Sequence, residues 1–332
     1  MFEYILKRFL IMIPTVIIIS IISFWVIQLP PGDFVSTYAA QAAQEGEVLD
    51  TAELREMREV YGLNDSFFTQ YRKWISGIIF RGDFGFSFQW NKKVSDLIMS
   101  RMGLTLMVSL TTMLFTYLVS IPIGIYGATH QYSFGDYLTA FIGFIGTATP
   151  NFLLAIICMY FAFRYFGSPM MGLFSPEFAH APWSIAKFFD LMKHMIIPIV
   201  VIGTAGTCGL IRVMRGQLLD EIKKQYVITA RAKGVGEKTL LYKYPVRASL
   251  NPIVSTIGWS LTAIFSGSTI TAIVLNLPTQ GPLLYGALLS QDMYLAGGLL
   301  FILTTLTVIG TLLSDVLLAW LDPRIRLGKD EA

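Results

Sequence analysis

Six stretches of this 332-residue chain contain no Asp, Glu, Lys or Arg. They run from Phe9 to Leu29, Met102 to Thr129, Tyr137 to Phe163, Met195 to Ile211, Ala248 to Gln291 and Met293 to Ser314. About 20 mainly apolar residues cross the hydrocarbon core of a bilayer, so these stretches predict membrane-spanning helices. The fourth is short, but Arg212 at its end can snorkel to the interface. The fifth is too long for one crossing and predicts a helix near Pro252–Leu275, then a turn over Asn276–Pro282. The fold class that follows is all-α: a polytopic membrane protein with six transmembrane helices. Composition agrees, since only 14% of residues are charged against roughly a quarter in soluble domains.

The first stretch follows Lys7 and Arg8, as a secretory signal would. Its apolar run is longer than the usual core of about 7–15 residues, and Gln28-Leu29-Pro30-Pro31 lacks a small-residue cleavage pattern, so a retained anchor is expected. Six spans put both termini on one side. The hydrophilic pieces sharing that side hold Lys7, Arg8, the Arg212–Arg247 segment, Arg324, Arg326 and Lys329, whereas Asn276–Asp292 has no Lys or Arg. The positive-inside rule therefore places both termini and the 215–247 loop in the cytoplasm. The short His130–Asp136 loop does not bear on orientation.

The chain thus divides into residues 1–29 (N-terminal segment and first helix), 30–101 (a small extracytoplasmic domain), 102–320 (the transmembrane core with its cytoplasmic loop 215–247) and 321–332 (a cytoplasmic tail). Within 30–101, Asp50-x-x-Glu53 resembles a capping box. Leu54, Met57 and Tyr61 share a face of the helix that follows, and Gly62 ends it. Trp74, Phe80, Phe84, Phe86, Phe88 and Trp90 are read first as packing against the outer helix ends, with solute contact as the alternative. Gly124, Gly127, Gly143, Gly146, Gly203, Gly206 and Gly209 are read as sites of close helix approach.

Chemistry of the chain's own is absent from the pattern. Net charge is +3, which gives no nucleic-acid footprint. Cys158 and Cys208 lie in apolar stretches, and His130, His180 and His194 are scattered, so neither a disulfide framework nor a metal site is expected. Helix interiors lack the ionisable relays of ion-coupled carriers; Asp315 lies toward the cytoplasmic end of the last helix. The nearest approach to a phosphate loop, Gly234-Val235-Gly236-Glu237-Lys238-Thr239, has Ala232 and Glu237 where glycines are required. No nucleophile elbow or zinc-protease motif occurs. The chain is not expected to be an enzyme or to hold a cofactor. A stand-alone channel or secondary transporter stays open as the alternative to a subunit powered from elsewhere.

The segment between the fourth and fifth spans carries Leu219, Ile222, Tyr226 and Ala230 at helical spacing, beside Lys223, Lys224, Arg231 and Lys233. It predicts a short amphipathic helix ended by Gly234. Such a helix suits either a groove on a partner or an anionic lipid surface.

Tyr226-Val227-Ile228-Thr229-Ala230-Arg231-Ala232-Lys233-Gly234, with Pro252 beyond it, resembles the coupling loop of ABC importer permeases of the dipeptide/oligopeptide/nickel type. Further matches are Tyr4, Lys7-Arg8, Ile13-Pro14-Thr15, Pro31-Gly32-Asp33, Tyr61-Gly62-Leu63, Gln70-Tyr71, Arg81-Gly82-Asp83-Phe84-Gly85, Ile121-Pro122-Ile123-Gly124 and Leu321-Asp322-Pro323-Arg324-Ile325-Arg326. The resemblance implies a type I importer permease fold in a bacterial or archaeal inner membrane. It implies a second, different permease subunit, two cytoplasmic ATPase subunits and an extracytoplasmic solute-binding protein as partners. Tyr226, Thr229, Ala230, Arg231, Ala232, Lys233 and Gly234 would form the ATPase-coupling loop. The family's outer-side Glu-x-x-Phe and Pro-Gly-x-Gly read here Ala272-Ile273-Val274-Leu275 and Pro278-Thr279-Gln280-Gly281, and Tyr244-Pro245-Val246-Arg247-Ala248-Ser249 replaces His-Ala-x-Arg-Asn-Ala. The resemblance places Ala272, Leu275 and Pro278 near the translocation path. It implies alternating access for a bulky solute, an oligopeptide first and an oligosaccharide as the alternative.

Overall fold

The computed structural model describes residues 2–29, 34–44, 50–60, 62, 64–87, 89–168, 170–258, 260, 263 and 269–321. Pro30, Pro31-Gly32-Asp33, Tyr61, Leu63, Phe88, Arg324, Arg326 and Lys329 lie outside the described residues, as do the side chains of Tyr4, Glu53 and Met57.

The elements are α1 (Phe2–Ile27), α2 (Phe34–Gln44), α3 (Thr51–Val60), α4 (Phe67–Arg81), β1 (Phe86–Ser87), β2 (Lys92–Lys93), α5 (Val94–Thr129), α6 (Phe134–Ala148), α7 (Asn151–Phe166), α8 (Pro176–Ala179), α9 (Ile185–Ile222), α10 (Gln225–Ala232), α11 (Glu237–Lys243), α12 (Pro245–Ser255), α13 (Thr269–Val274), α14 (Gln280–Leu289) and α15 (Met293–Leu321). Strands β1 and β2 pair antiparallel. Among the described residues four helices are long and apolar enough to cross a membrane: α1, α5, α9 and α15. The pair α6–α7 is a fifth if it is counted as one span. The span expected over Pro252–Leu275 falls partly on residues outside the description, 259, 261–262 and 264–268.

The third expected span differs in form. Between Ala148 and Asn151 the axis turns by 104°. The cause is local: a residue before proline is driven out of the α region, and Thr149, preceding Pro150, is extended at φ −86°, ψ 122°. Helix α9 also runs on through Ile222, so the first part of the 215–247 loop is helical. The Asn276–Asp292 segment, expected as connection, contains α14.

Two compact units emerge, residues 1–10, 106–278 and 307–332 in one, and 11–105 and 279–306 in the other. In the second unit, Val94, Ile98, Leu283, Leu295 and Leu299 form a core with Ile27. Trp74 sits 5.2 Å from Phe24 and 5.8 Å from Phe301 between ring centroids, so this aromatic packs against helices, whereas Phe80 is exposed. The buried Asp292 caps α15 by accepting the Leu295 N–H at 3.1 Å and receives the Ser87 hydroxyl at 2.5 Å. Asp50 likewise accepts the Ala52 N–H at 3.1 Å at the start of α3, an N-cap bond to the second helical residue; the reciprocal side-chain bond of a capping box would come from Glu53, whose side chain lies outside the described residues.

The first unit is built around α9, along which α6, α7 and α12 pack. Close approach is enforced by glycine: a Cβ on Gly124 would fall 2.6 Å from Met214 Cβ, and one on Gly203 2.8 Å from the Phe115 ring. Gly127 and Gly146 are similarly tight, whereas Gly143 and Gly206 leave ordinary van der Waals room and Gly209 faces open space. Gly258 and Gly310, which the sequence reading passed over, touch backbone to backbone. Asp136 and Arg215 form a two-pronged ion pair at 2.9 and 2.8 Å, and Arg8 meets Asp315 at 3.0 Å.

Candidate coupling surface and membrane cavity

The loop after α9 folds as a hairpin of two short helices. Val227 and Ala230 on α10 pack against Leu240 of α11 and bury almost completely. That inner face sends Tyr226, Ile228, Thr229, Arg231 and Ala232 outward, all exposed. One continuous amphipathic helix from Leu219 to Ala230 was the expectation. Instead the chain breaks at Lys223 and Lys224, with Lys224 extended at ψ 149°. Leu219 and Ile222 therefore belong to α9, and Val227, not Tyr226, takes the buried position.

Gly234 ends α10 for a backbone reason. Its φ is +80°, its N–H reaches the Arg231 carbonyl at 3.0 Å and the Val235 N–H reaches Ala230 at 3.4 Å. This is the Schellman pattern, in which a left-handed residue lets the last carbonyls find donors. Arg231 then staples the turn, donating Nε to Glu237 Oε1 at 2.6 Å and Nη2 to Oε2 at 3.1 Å. The pair raises the Arg231 pKa and lowers that of Glu237. Glu237 also sits in the first turn of α11, where negative charge suits the helix dipole. The residue that spoils the phosphate-loop motif thus has a structural job. At the other end, Tyr226 donates to Glu221 at 2.5 Å and Lys224 bridges to the same carboxylate. Burial, reinforced by Glu221, pushes the Tyr226 hydroxyl above its ordinary range.

The hairpin is anchored. Leu241, Val246 and Leu250 join Ile125, Ala128, Met214 and Leu218 in one apolar cluster, which ties the loop to the ends of α5 and α9. Pro245 opens α12 at a position where its missing N–H costs nothing, and Tyr244 before it turns the chain. A cleft of about 580 Å³ lies behind the hairpin, lined by Leu219, Val227 and Leu240 with Lys223, Arg231 and Lys238 at its edges. Of the seven loop residues expected at the surface, six are exposed and Ala230 is in the hairpin core. Ile228, 47% exposed, belongs to the outer face and was missed; once Val227 and Ala230 face in, the helical period sends it out.

Ala272 and Leu275 are buried within the chain and Pro278 is half-buried. Asn276 at φ +52° closes α13 with a second Schellman pattern, the Leu277 N–H reaching Ala272 at 2.8 Å and the Asn276 N–H reaching Ile273 at 3.0 Å. The Gly172 N–H holds Leu275 O at 2.8 Å. A separate cavity of about 250 Å³ is lined by residues of α5, α7 and α9 together with Ser260 and Ala263. Among the described residues no three His, Cys, Asp or Glu side chains gather to hold a metal.

The profile of a family described as binding-protein-dependent transport system inner membrane component matches residues 120–327. Its N-terminal counterpart matches residues 1–111. The chain belongs to this family. The permease is 32% identical to the oligopeptide transport system permease protein AppB of Bacillus subtilis, over 98% of this chain and 99% of that one. It is also 32% identical to the peptidoglycan transport system permease protein YejB of Agrobacterium fabrum, over 97% of each, and 28% identical to the oligopeptide permease OppB of Haemophilus influenzae, over 98% of this chain and all of that one. It is a multi-pass inner-membrane permease component of an ABC importer with the type I permease fold, and not itself the catalytic part.

Proposed function

We propose that this permease carries peptides inward, as one of two different membrane subunits driven by two cytoplasmic ATPase subunits and fed by an extracytoplasmic solute-binding protein. Both termini and the α10–α11 hairpin lie in the cytoplasm, with lipid around the apolar helices. The peptide reading is supported by the solutes named in relatives aligned over nearly the whole chain.

The observation that carries the coupling role is how the hairpin is mounted. Its inner face forms a small cluster of its own, and the neighbouring Leu241 of α11, with Val246 and Leu250 of α12, joins the cluster that holds α5 and α9, while its outer face presents Tyr226, Ile228, Thr229, Arg231, Ala232 and Lys233. A push on that face moves two long helices as a body, because packed cores transmit displacement instead of absorbing it. The helices extend well past the roughly 30 Å hydrocarbon core, which gives the stroke a lever.

The test is a cross-link. With Cys158 and Cys208 replaced by alanine, Ala232→Cys in the intact assembly, labelled with a maleimide–benzophenone, should cross-link on illumination to a P-loop ATPase, the maleimide joining the new thiol and the photoexcited ketone inserting into a nearby C–H bond of the ATPase. The cross-link yield should change on ATP binding. No cross-link to an ATPase at position 232, with full complex recovered, would remove the hairpin from the coupling role.

A further inference from the structure

The bend between α6 and α7 leaves hydrogen-bonding groups open inside an uncharged stretch. Pro150 is the N-cap of α7 and has no capping side chain. The Leu153 and Leu154 N–H groups both go to the Pro150 carbonyl, at 3.0 and 3.1 Å. The Asn151 and Phe152 N–H groups have no partner among the described residues. Backbone of this kind is tolerated at membrane depth only where protein buries it or a polar cavity receives it.

A cavity is there. The space of about 250 Å³ is lined by Asn151 itself and by Thr116, Tyr117 and Ser260. Thr116 is only 8% exposed, and its hydroxyl has no partner among the described residues although it lines this space. The Tyr117 hydroxyl stands 3.4 Å from Ser260 Oγ on the same wall. Met113, Ile202, Ala205 and Leu210 supply apolar surface. None of the lining residues is ionisable in the neutral range.

We propose that this cavity is a solute-contact station of the permease, in which Asn151, with its open backbone N–H, and Thr116 hydrogen-bond the backbone amides of a peptide. The proposal rests on the peptide reading above and names where the permease touches its solute. An asparagine amide offers one donor face and one acceptor face, and so matches a peptide unit; a threonine hydroxyl serves in either role. Pockets for whole small molecules occupy about 300–1,000 Å³, so this one holds about one residue of an extended chain. Uncharged lining that reads amides does not select among side-chain charges, which suits a carrier of mixed peptides. Buried polar groups also reject analogues that leave them unpaired.

The experiment uses the complete importer with its binding protein in proteoliposomes, with trialanine and its N-methylated analogue as probes. The wild type should import trialanine and discriminate against the methylated form. Thr116→Val and Asn151→Leu should each lower maximal trialanine uptake about fivefold, the effect of one lost hydrogen bond, and should erode that discrimination. Thr116→Ser, which keeps the hydroxyl, should behave as wild type. In a protein with Cys158 and Cys208 replaced by alanine, Asn151→Cys should react with a neutral maleimide, and trialanine with ATP should slow the reaction. Unchanged uptake and discrimination in both variants, or labelling indifferent to trialanine, would overturn the proposal while leaving the peptide reading intact. A wild-type importer that does not move trialanine would sink the peptide reading and this proposal with it.

Discussion

Gly234 sits at φ +80° with no atom within 4 Å of where a Cβ would project. Its requirement within this chain is therefore conformational, since L-residues other than asparagine resist the left-handed region by roughly 1–2 kcal/mol. Gly234→Asn should retain most ATP-driven uptake and Gly234→Val should lose it, both at normal expression. Equal loss in both, measured as uptake per assembled complex, would mean that a partner's close approach sets the need for glycine. The adjoining Arg231–Glu237 pair is exposed, so solvent and salt weaken it. Glu237 has a lowered folded-state pKa. What the pair contributes is complete above the ordinary glutamate value, about 4.3, and is lost as pH falls through the lowered one. Coupling should accordingly show no step from this pair between about pH 6 and 8, and Glu237→Gln should flatten nothing in that window. A titration step there that vanishes in Glu237→Gln would contradict the assignment.

Elements explain why some readings succeeded and others failed. Long uncharged runs gave α1, α5, α9 and α15, because length and apolarity alone dictate a spanning helix. The bend at Thr149-Pro150 has a local cause in the sequence, since a pre-proline residue leaves the α region, but the unbroken apolar run over Tyr137–Phe163 predicts a single span and hides it. The hairpin break at Lys223 and Lys224 was not legible: helical spacing continues across it, and only the packing of Val227 and Ala230 on Leu240 decides which face turns in. Glycine spacing showed that helices approach closely but not which ones meet. At the α5–α9 crossing, Gly124→Leu would drive a side chain into Met214, and overpacking of this kind costs roughly 1–3 kcal/mol. Thermal unfolding in detergent should register it, while Gly209→Leu, facing open space, should leave the midpoint near wild type. Asp136 is 5% exposed and accepts from Arg215 twice and from the Tyr132 N–H. Asp136→Asn should cost roughly 2–3 kcal/mol, as a broken charged hydrogen-bond pair does. In Asp136→Asn with Arg215→Gln the two losses should not add, and full additivity would mean the pair is not a unit.

For the whole molecule, Ala232 and Glu237 stand where a phosphate loop ending at Lys238-Thr239 requires glycines, so this segment is not such a loop. Family membership follows from matches across residues 1–111 and 120–327. The solute contact was not legible in the same way. Asn151, Thr116 and Ser260 are far apart in sequence and line one cavity only through the bend and the packing of α5 and α7 on α9. The resemblance places Ala272, Leu275 and Pro278 near the translocation path; the first two are buried within the chain and Pro278 is half-buried. The central claim is that this permease works only as one part of an ATP-driven assembly. A gentle-detergent pull-down of the tagged chain from its own membranes, with mass spectrometry of what accompanies it, tests that claim most directly. Two P-loop ATPases and a second, different multi-span permease should be recovered with it. Recovery of the chain folded and alone, repeatedly, would contradict the account and make it a self-sufficient channel.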